Sequence, residues 1–177
     1  MRATDFEERQ ARRLALVEEH VGYENRHDLE AIMTTFGAAA RYDDEPNDAH
    51  YIGCDGVRAF YTDLLRAMPD LRIDVERRHA STEAVILEVV IRGHHLGPWR
   101  GLPATGRRVE FPLCGIYTFD DKDRLAGEKI YYDRGSVLRQ LGVFHEPESL
   151  PGRLDAVLMH PLTMARLLGR MIWRSPT

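Results

Sequence analysis

Cysteine is scarce in this chain: Cys54 and Cys114 stand 60 positions apart, outside any CxxC spacing or Cys/His cluster. Zinc and a disulfide framework are left without support, and a reducing compartment is implied. Long apolar runs are missing too, none reaching the roughly 18 residues of a membrane span. The N-terminal stretch Met-Arg-Ala-Thr-Asp-Phe-Glu-Glu-Arg carries acids where a signal peptide carries its apolar region, so the expected location is cytoplasmic. Basic excess is absent: 24 Lys and Arg face 28 Asp and Glu, a formal charge of -4, which gives no broad positive field for nucleic acid. Internal repeats and low-complexity segments are absent as well. Asp43, Asp44 and Glu45 make a dense acidic run, but without the loop spacing of a hard-cation site, so a solvated turn and no metal are expected.

What is present suits one core domain over residues 1–143 and an appendage over 144–177, from a chain of 177 residues that is 44% hydrophobic. Thr4 to Glu7 fits a capping box, and Phe6, Leu14, Val17 and Val21 form a sparse stripe, predicting a first helix from about Asp5 to about His20. Asp28 caps a second short helix with Leu29, Ile32, Met33 and Phe36 inward. Arg41 to Glu45 reads as a short acidic strand or extended segment, followed by a loop from Pro46 to His50. Asp55 then caps a helix from Gly56 to Met68, which Pro69 ends.

From there the period changes to two. Leu71, Ile73 and Val75 alternate with charge as far as His79; Val85, Leu87, Val89 and Ile91 continue to Gly93 and His95; Val109, Phe111, Leu113, Tyr117 and Phe119 repeat the pattern. A fourth strand, Lys129 to Asp133, hands over to a helix bearing Val137, Leu138 and Leu141, with Gly142 suited to a left-handed stop. Three helices and then four strands predict an α+β domain with a twisted, mostly antiparallel sheet half wrapped around the helices. The tail holds a Pro-Glu-Ser-Leu-Pro-Gly linker and two helical stretches, Asp155 to Met159 and Leu162 to Trp173. In the second, Leu162, Ala165, Leu168 and Ile172 are interspersed with Arg166, Arg170 and Arg174. A helix packed on the domain or on a symmetry mate is the plain reading; a lid, or a surface helix on anionic lipid, are the others.

This order resembles the cone-shaped fold of the nuclear transport factor 2-like superfamily, and within it the SnoaL-like polyketide cyclase branch. The likeness rests on Gly53 to Phe60 with Tyr61, Pro69-Asp70-Leu71, Gly93-His94-His95-Leu96-Gly97, Gly101-Leu102-Pro103-Ala104-Thr105-Gly106-Arg107, and Tyr132-Asp133 with Leu138 to Gly142. The resemblance implies a general acid/base carboxylate at the end of the last strand, at Asp133, and a ligand-side histidine at His95. It also implies an intramolecular aldol cyclisation of a polyketide ester without metal or organic cofactor. The second histidine, His94, and the stretch after Val143 depart from the family pattern.

Each candidate has a plain structural reading beside the functional one. A carboxylate facing an apolar cavity becomes a base near neutral pH, yet Asp133 also suits a helix cap, a job Ser136 could take instead. His95 suits a donor to substrate oxygen or a buried histidine on a carbonyl. Tyr131, on the face shared with Asp133, suits a contact to carboxylate or substrate, or mere packing; His79 suits a rim position, and Trp99 a pocket mouth or a core cover. Phe60 and Phe111 supply apolar lining. The expectation is an acid/base enzyme on a small, largely apolar carbonyl compound. The alternatives are a non-catalytic ligand-binding or assembly module, or an epoxide hydrolase, isomerase or hydroxylase using the same pocket. A homodimer through the outer sheet face is expected.

Overall fold

The computed structural model describes residues 3–173. Arg174 and the side chains of Thr4, Leu168 and Ile172, read above from sequence, lie outside what is described. Helix α1 (Ala3–Asn25) is longer than its sparse apolar pattern predicts, because its buried stripe is partly polar. Arg13, Val17, His20, Val21 and Glu24, at spacings of three and four, are all buried. Arg9 and Arg13 each reach Asp123 Oδ1 at 2.8 Å, pinning the helix to the far turn of the sheet. Helix α2 (Leu29–Thr35) is capped by Asp28 as expected. Helix α3 (Gly53–Ala67) starts three residues before the expected Gly56: Gly53 turns into it at φ 75, and no side chain, Asp55 included, caps it.

The sheet has six strands rather than four. Strands β1 (Arg41–Asp44) and β2 (Ala49–Ile52) form a small hairpin across a single 3₁₀ turn, Glu45–Asn47. Strands β3 (Arg72–Ala80), β4 (Ala84–His94), β5 (Arg108–Phe119) and β6 (Leu125–Tyr132) follow, in the order β2-β1-β6-β5-β4-β3. Only β1 against β6 is parallel; the other pairs are antiparallel. Alternation along β4 is complete, with Val85, Leu87, Val89, Ile91 and Gly93 inward, the period of two that a half-wet sheet demands. Helices α1 to α3 fill the concave face, where burial of side chains such as Ile32, Val57 and Leu87 contributes roughly 1.5–3 kcal/mol each.

Three details of register decide where the candidate residues point. The pairing of β3 with β4 shifts between Val75 and Arg77, so the strand changes face there and His79 falls opposite Ile86 on the outer surface. In β6, Glu128, Ile130 and Tyr132 face inward, opposite Tyr117, Gly115 and Leu113, whereas Lys129 and Tyr131 face outward. Trp99 and Leu102 exchange two backbone hydrogen bonds around Arg100 (φ 48) and Gly101 (φ 80), a tight type I′ turn that a glycine makes accessible. After β6, helix α4 (Arg134–Gln140) runs to Gly142 at φ 73, and helices α5 (Leu150–Met159) and α6 (Pro161–Trp173) form a terminal pair. No helix of the described residues is long and apolar enough to cross a membrane.

Candidate active site

A cavity of about 100 Å³ lies between the inner sheet face and the helices. Phe60, Trp99, Phe111, Tyr117 and Tyr132 supply aromatic lining, and Glu24, Asp44, His95 and Glu128 bring ionisable groups to it. Trp99, Phe60, Phe111 and His95, all named from the sequence, are among the lining residues. Its neighbour His94 faces out and pairs with Asp70.

Asp133, Tyr131 and His79 are not part of this lining, and the ligand-facing readings of Asp133 and Tyr131 and the rim position read for His79 are corrected. Asp133 is 64% exposed, accepts the Ser136 amide at 3.0 Å as the cap of α4, and lies 3.5 Å from Arg139. Tyr131 shares its face, as read, but that face is the outer one, where both border a shallow groove. The charged Lys129 on the same row, paired with Glu45 at 3.0 Å, marks it as the wet side. His79 bonds Glu88 at 3.0 Å on the outer surface, carried there by the register shift in β3.

The carboxylates that line the cavity come from α1, β6 and, with Asp44, β1. Glu24 and Glu128 converge with His20 on the hydroxyl of Tyr61, which lies 3.0 Å from Glu24 Oε1, 2.8 Å from Glu128 Oε2 and 3.0 Å from His20 Nε2. Thr35 gives its hydroxyl proton to Ile32 O and so accepts from His20 Nδ1, which fixes that ring nitrogen as a donor. One phenolic proton cannot serve three acceptors, and the remaining demand is met by protons on the cluster itself. Burial alone would lower the His20 pKa, but the charge of Glu24 and the hydrogen bond and charge of Glu128 outweigh it and raise it. Burial raises Glu24 to about 7, helped by the charge of Glu128 and opposed by His20 and the Tyr61 hydrogen bond. The same trio of His20, Glu24 and Glu128 places ligand atoms within 4.8 Å of one another, a donor set a divalent metal could use. The Tyr61 oxygen already sits at hydrogen-bond distance from all three, the arrangement of a shared proton.

Among the described residues, two buried side-chain polar atoms have no partner: Glu24 Oε2 and His95 Nε2. Both residues line the cavity. The Thr105 amide donates to His95 Nδ1 at 3.3 Å, so neutral His95 carries its proton on the unpartnered Nε2. Burial lowers the His95 pKa and keeps it in that neutral form at physiological pH.

Asp44 is the third inward carboxylate and a correction to the solvated acidic turn expected for residues 43–45. It is 1% exposed, bonds Asn47 Nδ2 through both oxygens at 2.9 Å and pairs with Arg100 at 2.7 Å. Arg100 lies over the Trp99 ring at 5.3 Å, so this ion pair holds the Trp99 turn against the cavity. Glu24 and Glu128 went unread in the sequence, and Tyr61 was read only as part of the family likeness. The signal for Glu24 and His20 was present, since both fall at helical spacing from Val17 on the buried stripe of α1.

A family profile described as SnoaL-like polyketide cyclase matches residues 14–141. The chain belongs to that family. Solved structures of the same shape include AclR, a putative hydroxylase from Streptomyces galilaeus, 26% identical with a TM-score of 0.67 over 77% of this chain and 99% of the other. A putative SnoaL-like polyketide cyclase from Jannaschia sp. CCS1 is 18% identical, with a TM-score of 0.70 over 77% of this chain and 95% of the other. SalBIII, an epoxide hydrolase/cyclase-like enzyme of pyran ring formation in salinomycin, is 16% identical, with a TM-score of 0.62 over 71% and 94%. Among curated proteins, none matches the sequence. The SnoaL-like match covers the whole cavity, from Leu14 on α1 to Leu141 after α4, and ends before α5.

Proposed function

We propose that this SnoaL-like protein is an acid/base enzyme of the cyclase or isomerase type, acting on a small, largely apolar carbonyl compound, with Glu24 rather than Asp133 moving the proton. The observation that carries this is the free oxygen of Glu24: a buried carboxyl on the cavity wall, unpartnered at Oε2 and raised to about 7. A group poised near neutrality is strong enough as a base, and acidic enough when protonated, to work in both directions.

In an intramolecular aldol closure, Glu24 takes a proton from carbon beside one carbonyl, that carbon bonds to a second carbonyl carbon, and the proton returns to the alkoxide. No electrons are gained or lost. His95 Nε2–H offers a hydrogen bond to a substrate oxygen, and the aromatic wall folds the chain so that nucleophile and carbonyl meet. Tyr61, His20 and Glu128 are positioning residues, acting through Glu24. The named activities of structural relatives range from hydroxylase to epoxide hydrolase/cyclase-like, so the support for this chemistry is the placement of the carboxyl and not the fold.

The test uses β-tetralone, an apolar ketone, and follows exchange of its α-hydrogens in D₂O by NMR. The protein is expected to speed exchange, Glu24→Gln to lower the rate about 10²- to 10⁴-fold, and Asp133→Asn to leave it unchanged. Wild-type exchange in Glu24→Gln would falsify the assignment.

A further inference from the structure

The terminal pair α5 and α6 is held to the rest of the chain through its linker. Ser149 caps α5, Gly152 closes on the carbonyl of Glu146, His145 pairs with Asp155 at 2.8 Å, and Arg139 of α4 pairs with Glu146. Most of the large apolar side chains described for the pair stand in solvent. Leu150, Leu154, Val157 and Leu158, a stripe at i, i+4, i+7 and i+8 of α5, are 48–81% exposed, and Leu162 and Leu167 of α6 are 74% and 48% exposed. The exposure of Leu162 and Leu167 leaves the plain reading of a helix packed on its own domain without support among the described side chains.

Charge is segregated on the same segment. From Ala156 to Thr177 the sequence has three arginines and no acid, in a chain of formal charge -4, so residues 1–155 carry -7. Arg166 and Arg170 lie one turn apart on α6, and neither is paired with an acid among the described residues. We propose that α5 and α6 dock the protein flat onto an anionic lipid surface, with the leucines in the interface and the arginines at headgroup level.

Two features select lipid over a second copy of the chain. Among the described residues outside 143–167 the exposed large apolar ones are Ile52, Leu96 and Tyr131, scattered over β2, the loop after β4 and β6, so the described body offers no apolar patch to receive the stripe. Hairpin against hairpin would bring the arginines together with Asp155 as the one acid of the two helices, and that carboxylate is already paired with His145. An exposed apolar stripe on α5 with unpaired arginines on the helix that follows fits a bilayer interface, where the apolar face sinks between headgroups and guanidinium groups meet anionic lipid. Such docking would hold the cavity where apolar compounds concentrate.

Co-sedimentation of the full chain with vesicles tests this. Phosphatidylcholine vesicles containing about one-third phosphatidylglycerol are expected to bind the protein at least ~10-fold more tightly than phosphatidylcholine alone, with the difference shrinking in high salt. Arg166→Glu with Arg170→Glu should weaken binding at least ~25-fold, from about fivefold per arginine. Leu154→Asp with Leu158→Asp should abolish it while circular dichroism stays native. Absence of binding to the anionic vesicles overturns the proposal, as does equal binding by the arginine pair variant. A concentration-dependent dimer that the leucine pair variant dissolves, without vesicle binding, also overturns it and assigns the stripe to a second copy.

Discussion

The hydroxyl of Tyr61, on α3, donates to Oε2 of Glu128, on β6, across 2.8 Å. The same oxygen lies 3.0 Å from Glu24, so one phenol links the two carboxyl groups of the cavity wall. Tyr61→Phe keeps the ring and removes that link. The buried carboxyl groups then lose that donor, at a cost of about 1–3 kcal/mol in urea unfolding. Because the Tyr61 hydrogen bond lowers the Glu24 pKa, its loss should move the pH midpoint of ketone exchange upward. A midpoint unchanged in Tyr61→Phe would mean that the phenol does not tune Glu24.

Stability should fall as pH rises through neutrality. Glu24 is raised in the folded state from 4.5 to about 7, so it holds a proton the unfolded chain has released. Its contribution is full below about pH 4.5 and lost as pH climbs to about 7; His20, also raised, acts in the same direction. Asp43, Asp70 and Asp123 are lowered, Asp43 and Asp123 by their arginine or histidine partners against burial and Asp70 by His94, so their contribution is lost on acidification. The thermal midpoint is expected to be higher near pH 6 than near pH 8.5. Glu24→Gln should flatten the alkaline fall, recovering on the order of 3 kcal/mol at high pH; a variant with the wild-type slope would place the titration elsewhere.

Asp133 should behave as a cap. Asp133→Ala removes the acceptor of the Ser136 amide and is expected to cost about 1 kcal/mol by chemical denaturation. Asp133→Asn should cost less, and neither should slow ketone exchange. A hundredfold slower rate in Asp133→Asn with unchanged stability would restore the carboxylate to the chemistry.

Arg100 should matter to stability more than its loop position suggests. Arg100→Ala leaves Asp44 buried with only Asn47 as a donor, and breaking such a pair costs on the order of 3–5 kcal/mol, fully if nothing relaxes. Adding Asp44→Asn should return much of the loss and leave the Trp99 turn loose. That would show as faster quenching of tryptophan fluorescence; full stability in Arg100→Ala alone would count against the latch.

The walls of the cavity are more legible in the sequence than its reactive groups. The strict alternation of β4 exposed Val85 to Ile91 and carried His95 onto the inner row, and Phe60, Phe111 and Trp99 followed from helix spacing, strand parity and loop position. For β6 the period of two grouped Tyr131 with Asp133, which is correct, but a period does not say which face is the inner one. Ile130 and Tyr132, flanking Tyr131, belong to the cavity, and Glu128 with them. His79 was misplaced because one shifted register in β3 reverses every later side chain, and no residue in Arg72–Ala80 announces it.

By itself, the sequence determined the α+β class, the order of its helices and long strands, the Gly142 stop and the family to which the chain belongs. These follow from local periodicity and turn chemistry, which act over a few residues. Tertiary structure alone decided that Glu24, His20, Tyr61 and Glu128 share one buried proton network while Asp133 stands in water. Those four residues come from α1, α3 and β6, and an ionisable group changes its proton affinity only when distant elements close around it and remove its solvent.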